Sequence, residues 1–186
     1  MEERSKAGSI VSAGLQARAG VVENVRVAGV FHAVCRGPDG VIKWEDDAPN
    51  LVTTAGKNEL LDAAIKTGQA APTYYLGLVT GPGVAGANVA DTMGSHAGWT
   101  ENTSYDEATR VAFVPGAIAS GSVANTASPA VFTLSASVTI GGSFLTDGSA
   151  KGGTTGVLYS VGAFSNGDKT GADNDTITVT YTATIT

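Results

Sequence analysis

Charge is scarce in this sequence, and what there is leans acidic. Charged residues make up 15% of the chain, against roughly 25% in an average soluble protein, so most of the surface must be built from small uncharged side chains. The formal net charge of −6 leaves no basic field to neutralise nucleic-acid phosphates or anionic lipid. Arg4, Lys6 and Arg18 outnumber Glu2 and Glu3 at the start, a local excess that reads as a solvated tail. Cys35 is the only cysteine, which excludes an internal disulfide or a thiolate metal cluster within one chain. Aromatics are thin at 6%, with Trp44 and Trp99 the only tryptophans. No apolar run approaches the length of a membrane span, and the opening MEERSKAGSIVSAGLQARAG lacks the continuous apolar core of a signal peptide. The expectation is a soluble protein made in the cytoplasm, with neither nucleic acid nor membrane as a partner.

Glycine, serine, threonine and alanine are what the chain has in quantity, and they suit closely spaced strands and turns better than long solvated helices. The length of 186 residues fits one substantial domain, since single domains commonly run to roughly 100–200 residues. Residues 1–23 carry only scattered Ile10, Val11, Leu15, Val21 and Val22, too few to build a core. They read as an extended N-terminal arm that either stays a tail or becomes ordered against a neighbouring subunit.

From residue 24 to 186 the pattern is that of a β domain. Val25, Val27, Phe31 and Ala33 fall on one side of an alternating run that ends at Arg36-Gly37-Pro38-Asp39-Gly40, and residues 41–44 resume it, so a hairpin is predicted. Leu60, Leu61, Ala64 and Ile65 recur at helical spacing, which predicts one short helix over 54–66 with Thr53 or Thr54 as N-cap and Gly68 as its stop. Residues 74–79 read as a strand, and 81–108 as a long Gly-rich loop. Loops of that length usually form interfaces or functional sites, and Trp99 and Tyr105 within it are residue types favoured at contact surfaces, the alternative being that either ring covers the core. Phe132, Leu134, Ala136, Val138 and Ile140 alternate strictly with polar residues, as do Ile177, Val179, Tyr181, Ala183 and Ile185. With segments at 110–114, 143–146 and 157–164 these give roughly eight to ten strands, the number of a sandwich or barrel. The expected fold is mainly β, a single β-sandwich, jelly-roll-like or immunoglobulin-like, with one short helix.

Residues that could carry chemistry each have a plainer explanation. His32 sits within an alternating strand as a solvent-face or interface histidine. Asp91, Ser95 and His96 collect the members of a hydrolytic triad, but triads are assembled from separated loops rather than from near neighbours. Residues 81–86, GPGVAG, match the dinucleotide fingerprint GxGxxG, yet no helical period follows to receive a pyrophosphate. Asp168, Asp173 and Asp175 could ligate calcium, but turn chemistry explains them equally and the spacing is not that of an EF-hand. Glu45, Asp46 and Asp47 read as a solvated charge run rather than a glycosidase pair. No enzyme activity, cofactor or metal is expected.

Several blocks resemble a family of small tailed-bacteriophage virion proteins: WEDDAPNLVTTAGKN at 44–58, YYLGLVTG at 74–81, DTMGSHAGWTE at 91–101, TRVAF at 109–113 and GGTTGVLYSVGAFSNGDK at 152–169. Together they cover most of the chain after the arm. None is a catalytic signature, so the resemblance implies a class and assigns no residue a role. That class is nearest to a capsid decoration (cement) protein, a homo-oligomer found in the virion after assembly in the host cytoplasm, with the major capsid protein as partner. The candidate contact residues are Ile10, Val11, Leu15, Trp99 and Tyr105. A tail or fibre-base protein is the alternative within phages, and a carbohydrate-binding β-sandwich module the alternative outside them.

Overall fold

The computed structural model describes residues 25–66, 70–84 and 86–186. The arm over 1–23, and with it Ile10, Val11 and Leu15, lies outside the described residues, as does Gly68. The elements in chain order are β1 (Val27–Arg36), β2 (Ile42–Val52), α1 (Thr54–Ala64), β3 (Tyr75–Thr80), β4 (Glu101–Asn102), β5 (Val111–Ala112), β6 (Ser122–Ala124), β7 (Ala130–Thr133), β8 (Val138–Thr146), β9 (Leu158–Ala163), β10 (Lys169–Gly171) and β11 (Thr176–Ile185). All strand pairs are antiparallel. The chain is mainly β with one short helix, as its patterning predicts.

The predicted hairpin forms for the expected reasons. Gly40 takes a φ of +80°, its amide donates to Gly37 O, and Asp39 Oδ1 accepts from the Val41 amide. In the first sheet β1 lies between β2 and β11, and β6 and β7 pair with the far edge of β11. In the second, β8 lies between β3 and β9, with β4 and β5 on β3 and β10 on the early part of β8. β2 joins the two sheets, because its residues 44–49 pair with β1 and then Asn50, Leu51 and Val52 pair with β9.

One core fills the space between the sheets. Phe31, Ile177, Val179 and Tyr181 from the first meet Leu76, Leu78, Ile140 and Leu145 from the second, which is the packing of a β-sandwich. The Phe31 and Tyr181 rings stack with centroids 4.5 Å apart. The second sheet is also apolar on its outer face, where Val79, Phe144, Leu158 and Val161 form a second cluster with Met93 and Trp99. A strand buried on both faces loses simple alternation, and residues 140–146 of β8 are buried without a break. In β9 the register passes from Leu145↔Ser160 to Thr146↔Leu158, so Tyr159 is an extra residue, and this bulge places it in the main core while its neighbour Leu158 faces outward.

Two expectations need correction. The alternating run 132–140 is not one strand: β7 pairs with β11, the chain leaves that sheet over exposed residues 135–137, and β8 begins in the other sheet. The alternation survives the crossing because Phe132, Leu134 and Ile140 enter the same core from opposite sheets. The helix is present, but Leu61, Ala64 and Ile65 do not face the body. α1 is anchored by its first turn instead. Thr53 Oγ1 accepts from the Gly56 amide and donates to Leu158 O, and Gly56 packs so closely on the Tyr159 carbonyl that a Cβ would not fit.

Candidate interaction surface

Part of the long loop, with Met93 and Trp99, covers the outer face of the second sheet, whereas residues 101–102 form β4 and Tyr105 enters the main core. Trp99 is 4% exposed and Tyr105 is 2% exposed, which corrects the expectation that these two present a contact surface. An amphipathic ring inside a protein needs a polar partner for its N–H. Trp99 Nε1 donates to Asp91 Oδ2 at 3.2 Å, while His96 stacks on the indole with centroids 3.9 Å apart and donates from Nδ1 to Trp99 O at 2.9 Å. Asp91 and His96 therefore serve to seat a tryptophan, while the Ser95 amide donates to Thr92 in a turn. The GPGVAG glycines allow close backbone approach: a Cβ on Gly86 would meet Gly98 Cα, and a Cβ on Gly83 would crowd Gly141. Trp44 is half-buried, with Nε1 donating to Thr170 O and its ring edge-on to Phe164, so the two tryptophans form no shared exposed platform.

The acidic candidates are also engaged in the fold. Asp46, expected in a solvated run, is 5% exposed; it accepts from Lys169 Nζ at 2.8 Å and from the amide and side chain of Asn166. Asp175 is fully buried and takes Lys43 Nζ on both oxygens at 2.7 Å, with the Ala172 amide as a further donor. Asp168 Oδ1 accepts from the Gly83 amide, and Asp173 from Asn174. His32 Nδ1 meets Asp47 Oδ1 at 2.8 Å in an exposed pair. Among the described residues no group of three or more His, Cys, Asp or Glu side chains is placed to hold a metal ion. Cys35 is buried beside Asp175, and burial first, then the Asp175 charge, pushes its thiol up to about 11, so it stays protonated at neutral pH.

These ion pairs set an acid limit on stability. Burial raises the carboxyl pKa of Asp46 and Asp175, but the lysine and amide donors outweigh it and hold both below the ordinary aspartate value. Each contributes stability that is present above about pH 4, the unfolded aspartate range, and is lost as pH falls through the lowered folded value. Glu59 has the opposite sign. Burial first, and then the Asp147 charge, raise its pKa against the Tyr74 hydrogen bond, so its protonation on acidification offsets part of the loss. Urea midpoints are expected to hold from pH 7 to about 5 and fall below that. Lys169→Met should flatten the fall, and an unchanged acid profile in that variant would contradict the role given to Asp46.

What the surface offers is aliphatic. Ile118 is 79% exposed, Ile65 76% and Leu61 54%. At one end of the sandwich the main core opens into an apolar groove of about 250 Å³, lined among others by Val27, Phe113, Ile118, Val123, Tyr159 and Ile185. The sequence hides this site because Ile185 continues the inward phase of β11 and reads as core, while Ile118 stands alone among small residues. The Gly-Ala-Ile-Ala-Ser-Gly setting of Ile118 is the one available signal: a large aliphatic residue in a segment with no periodicity to bury it.

No family model and no curated protein matches the chain.

Proposed function

We propose that this protein is a bacteriophage virion structural protein, a capsid decoration protein that binds the outside of the head shell and stabilises it through subunit contacts. The observation that supports this reading is how the side chains are divided. The groups that could do chemistry are occupied in structural bonds, whereas large aliphatic side chains are left at the surface, where exposed apolar patches mark contact sites. The resemblance of several sequence blocks to phage particle proteins supports the same reading. Leu61 on the exposed side of α1 and Ile65, the residue that caps its C-terminus, are the proposed contact with the major capsid protein. The acidic, weakly charged surface suits adhesion by area rather than by electrostatic steering.

The test is co-sedimentation of purified protein with head shells that lack it. Saturable binding at a fixed ratio is expected, and a Leu61→Asp/Ile65→Asp variant should weaken it by at least about tenfold, the usual cost of losing an anchor residue. Binding to isolated tails and not to shells would favour the tail or fibre-base reading. Binding to neither would remove the phage reading altogether.

A further inference from the structure

Asn166 is the one asparagine in the chain that is followed by glycine. Both residues are exposed, and Gly167 has a φ of +77° with nothing within 4 Å of where a Cβ would lie. Without a Cβ, its nitrogen can approach a neighbouring carbonyl carbon closely, and its own hydrogen bond, to Phe164 O, is long at 3.4 Å. Lys169 Nζ donates to Asn166 O at 3.1 Å and to Asp46 Oδ2 at 2.8 Å. Asp46 Oδ1 in turn accepts from Asn166 Nδ2 at 3.0 Å. Asn166 also lines an open cleft of about 270 Å³ with His32, Glu45, Asp46, Asp47 and Ser165, so water reaches it. The Lys169 contact bears on the reactivity of the Asn166–Gly167 peptide bond. When the Gly167 N–H loses its proton, the negative charge settles largely on Asn166 O, and a cation donating to that oxygen favours the charged form.

We propose that Asn166 is a self-modification site, at which Lys169 assists attack by the Gly167 nitrogen on the Asn166 side-chain amide. Solvent base removes the Gly167 amide proton. The nitrogen then bonds to Asn166 Cγ, the bond from Cγ to Nδ2 breaks, and ammonia leaves with a proton taken from water. Water opens the resulting five-membered imide at either carbonyl, which leaves aspartate or isoaspartate at position 166. The net change consumes one water and releases one ammonia, so no other reactant is needed. The product places a carboxylate where Asp46 had an amide donor, in a cleft that already holds Glu45, Asp46 and Asp47. Asp46 then keeps Lys169 and the backbone amides of residues 47 and 166, and the grip of the 164–169 turn on β2 weakens.

The test incubates the full chain in mildly alkaline buffer and follows it by peptide mapping, with isoaspartate identified by its backbone fragmentation. Conversion at position 166 is expected ahead of every other asparagine, in both product forms. Lys169→Met should slow it by about threefold in the folded protein, the size of effect that a partly exposed charge contact supports, and Lys169→Arg should keep the rate. In urea-unfolded protein the Lys169→Met and unsubstituted chains should react alike, because the contact is gone. Asn166→Asp, which sets one product in place, should lower the melting temperature by about 3 °C. An intact Asn166 after the unfolded chain has converted would overturn the proposal. An unchanged rate in folded Lys169→Met would overturn the part given to Lys169, and an Asn166→Asp variant that melts with the parent would overturn the weakening of the turn.

Discussion

Arg110→Met is expected to destabilise the protein by about 3–5 kcal/mol, the cost of breaking a buried ion pair by removing one partner. Arg110 is 1% exposed. Its Nε and Nη2 meet Glu101 Oε1 and Oε2 at 2.9 and 2.7 Å, and its remaining donors reach Gly148 O and Gly153 O at 2.8 Å each. The guanidinium also lies over the Phe144 ring, 5.2 Å from the centroid. One side chain thus ties β4 to the 148–153 turn and covers the outer apolar cluster. Methionine would fill much of the volume but leave the Glu101 carboxylate with the Gly152 amide as its remaining donor and take the guanidinium donors from two carbonyl oxygens. Pairing Arg110→Met with Glu101→Gln should recover part of the loss, because the second change removes the uncompensated charge. Denaturant unfolding of the two single variants and the double variant measures both effects. A loss below about 1 kcal/mol in the single variant would mean that the pair is as weak as a surface ion pair.

Gly142→Ala is the second large effect, expected at about 3 kcal/mol, the upper end of overpacking costs. A Cβ at this position would lie within the radius of Gly162 O and 3.0 Å from Ala163 Cα. These are backbone atoms of the paired strand β9, so no rotamer change relieves the clash. Gly40→Ala is the control, because that residue has a φ of +80° with nothing within 4 Å of the added methyl. Its cost is only the left-handed conformation, about 1–2 kcal/mol. If the two variants melted together, close strand approach would not be what selects glycine at 142.

How much of this was legible in the sequence depends on how many faces of each strand are buried. β11 has one strongly apolar face, and its Thr and aliphatic alternation reads directly. The first hairpin is equally plain, because Pro38, Asp39 and Gly40 are turn residues with separate mechanisms. The second sheet is harder to read, since cover on both sides replaces alternation with a run of glycine and apolar residues in Ile140-Gly141-Gly142-Ser143-Phe144-Leu145. The loop over 81–108 looked like a contact element because composition does not tell a loop that faces a partner from one that covers its own sheet. Trp99 suits either role, and its burial depends on Phe144, which lies 45 residues later. The ion pairs Lys43–Asp175 and Asp46–Lys169, whose carboxylates are buried, were invisible for the same reason: partners more than 100 residues apart leave no local spacing. Leu60, Leu61, Ala64 and Ile65 mark a helical stripe correctly, yet α1 docks by its N-terminal turn, and periodicity does not say which end of a helix meets the sheet.

A three-dimensional reconstruction of particles purified from cells that make this chain tests the functional proposal most directly. Copies of this β-sandwich are expected as external density at fixed, symmetry-related positions on the head shell, with Leu61 and Ile65 turned toward the major capsid protein. Purified particles that contain no copy of the chain, or that carry it only in the tail, would contradict the proposal.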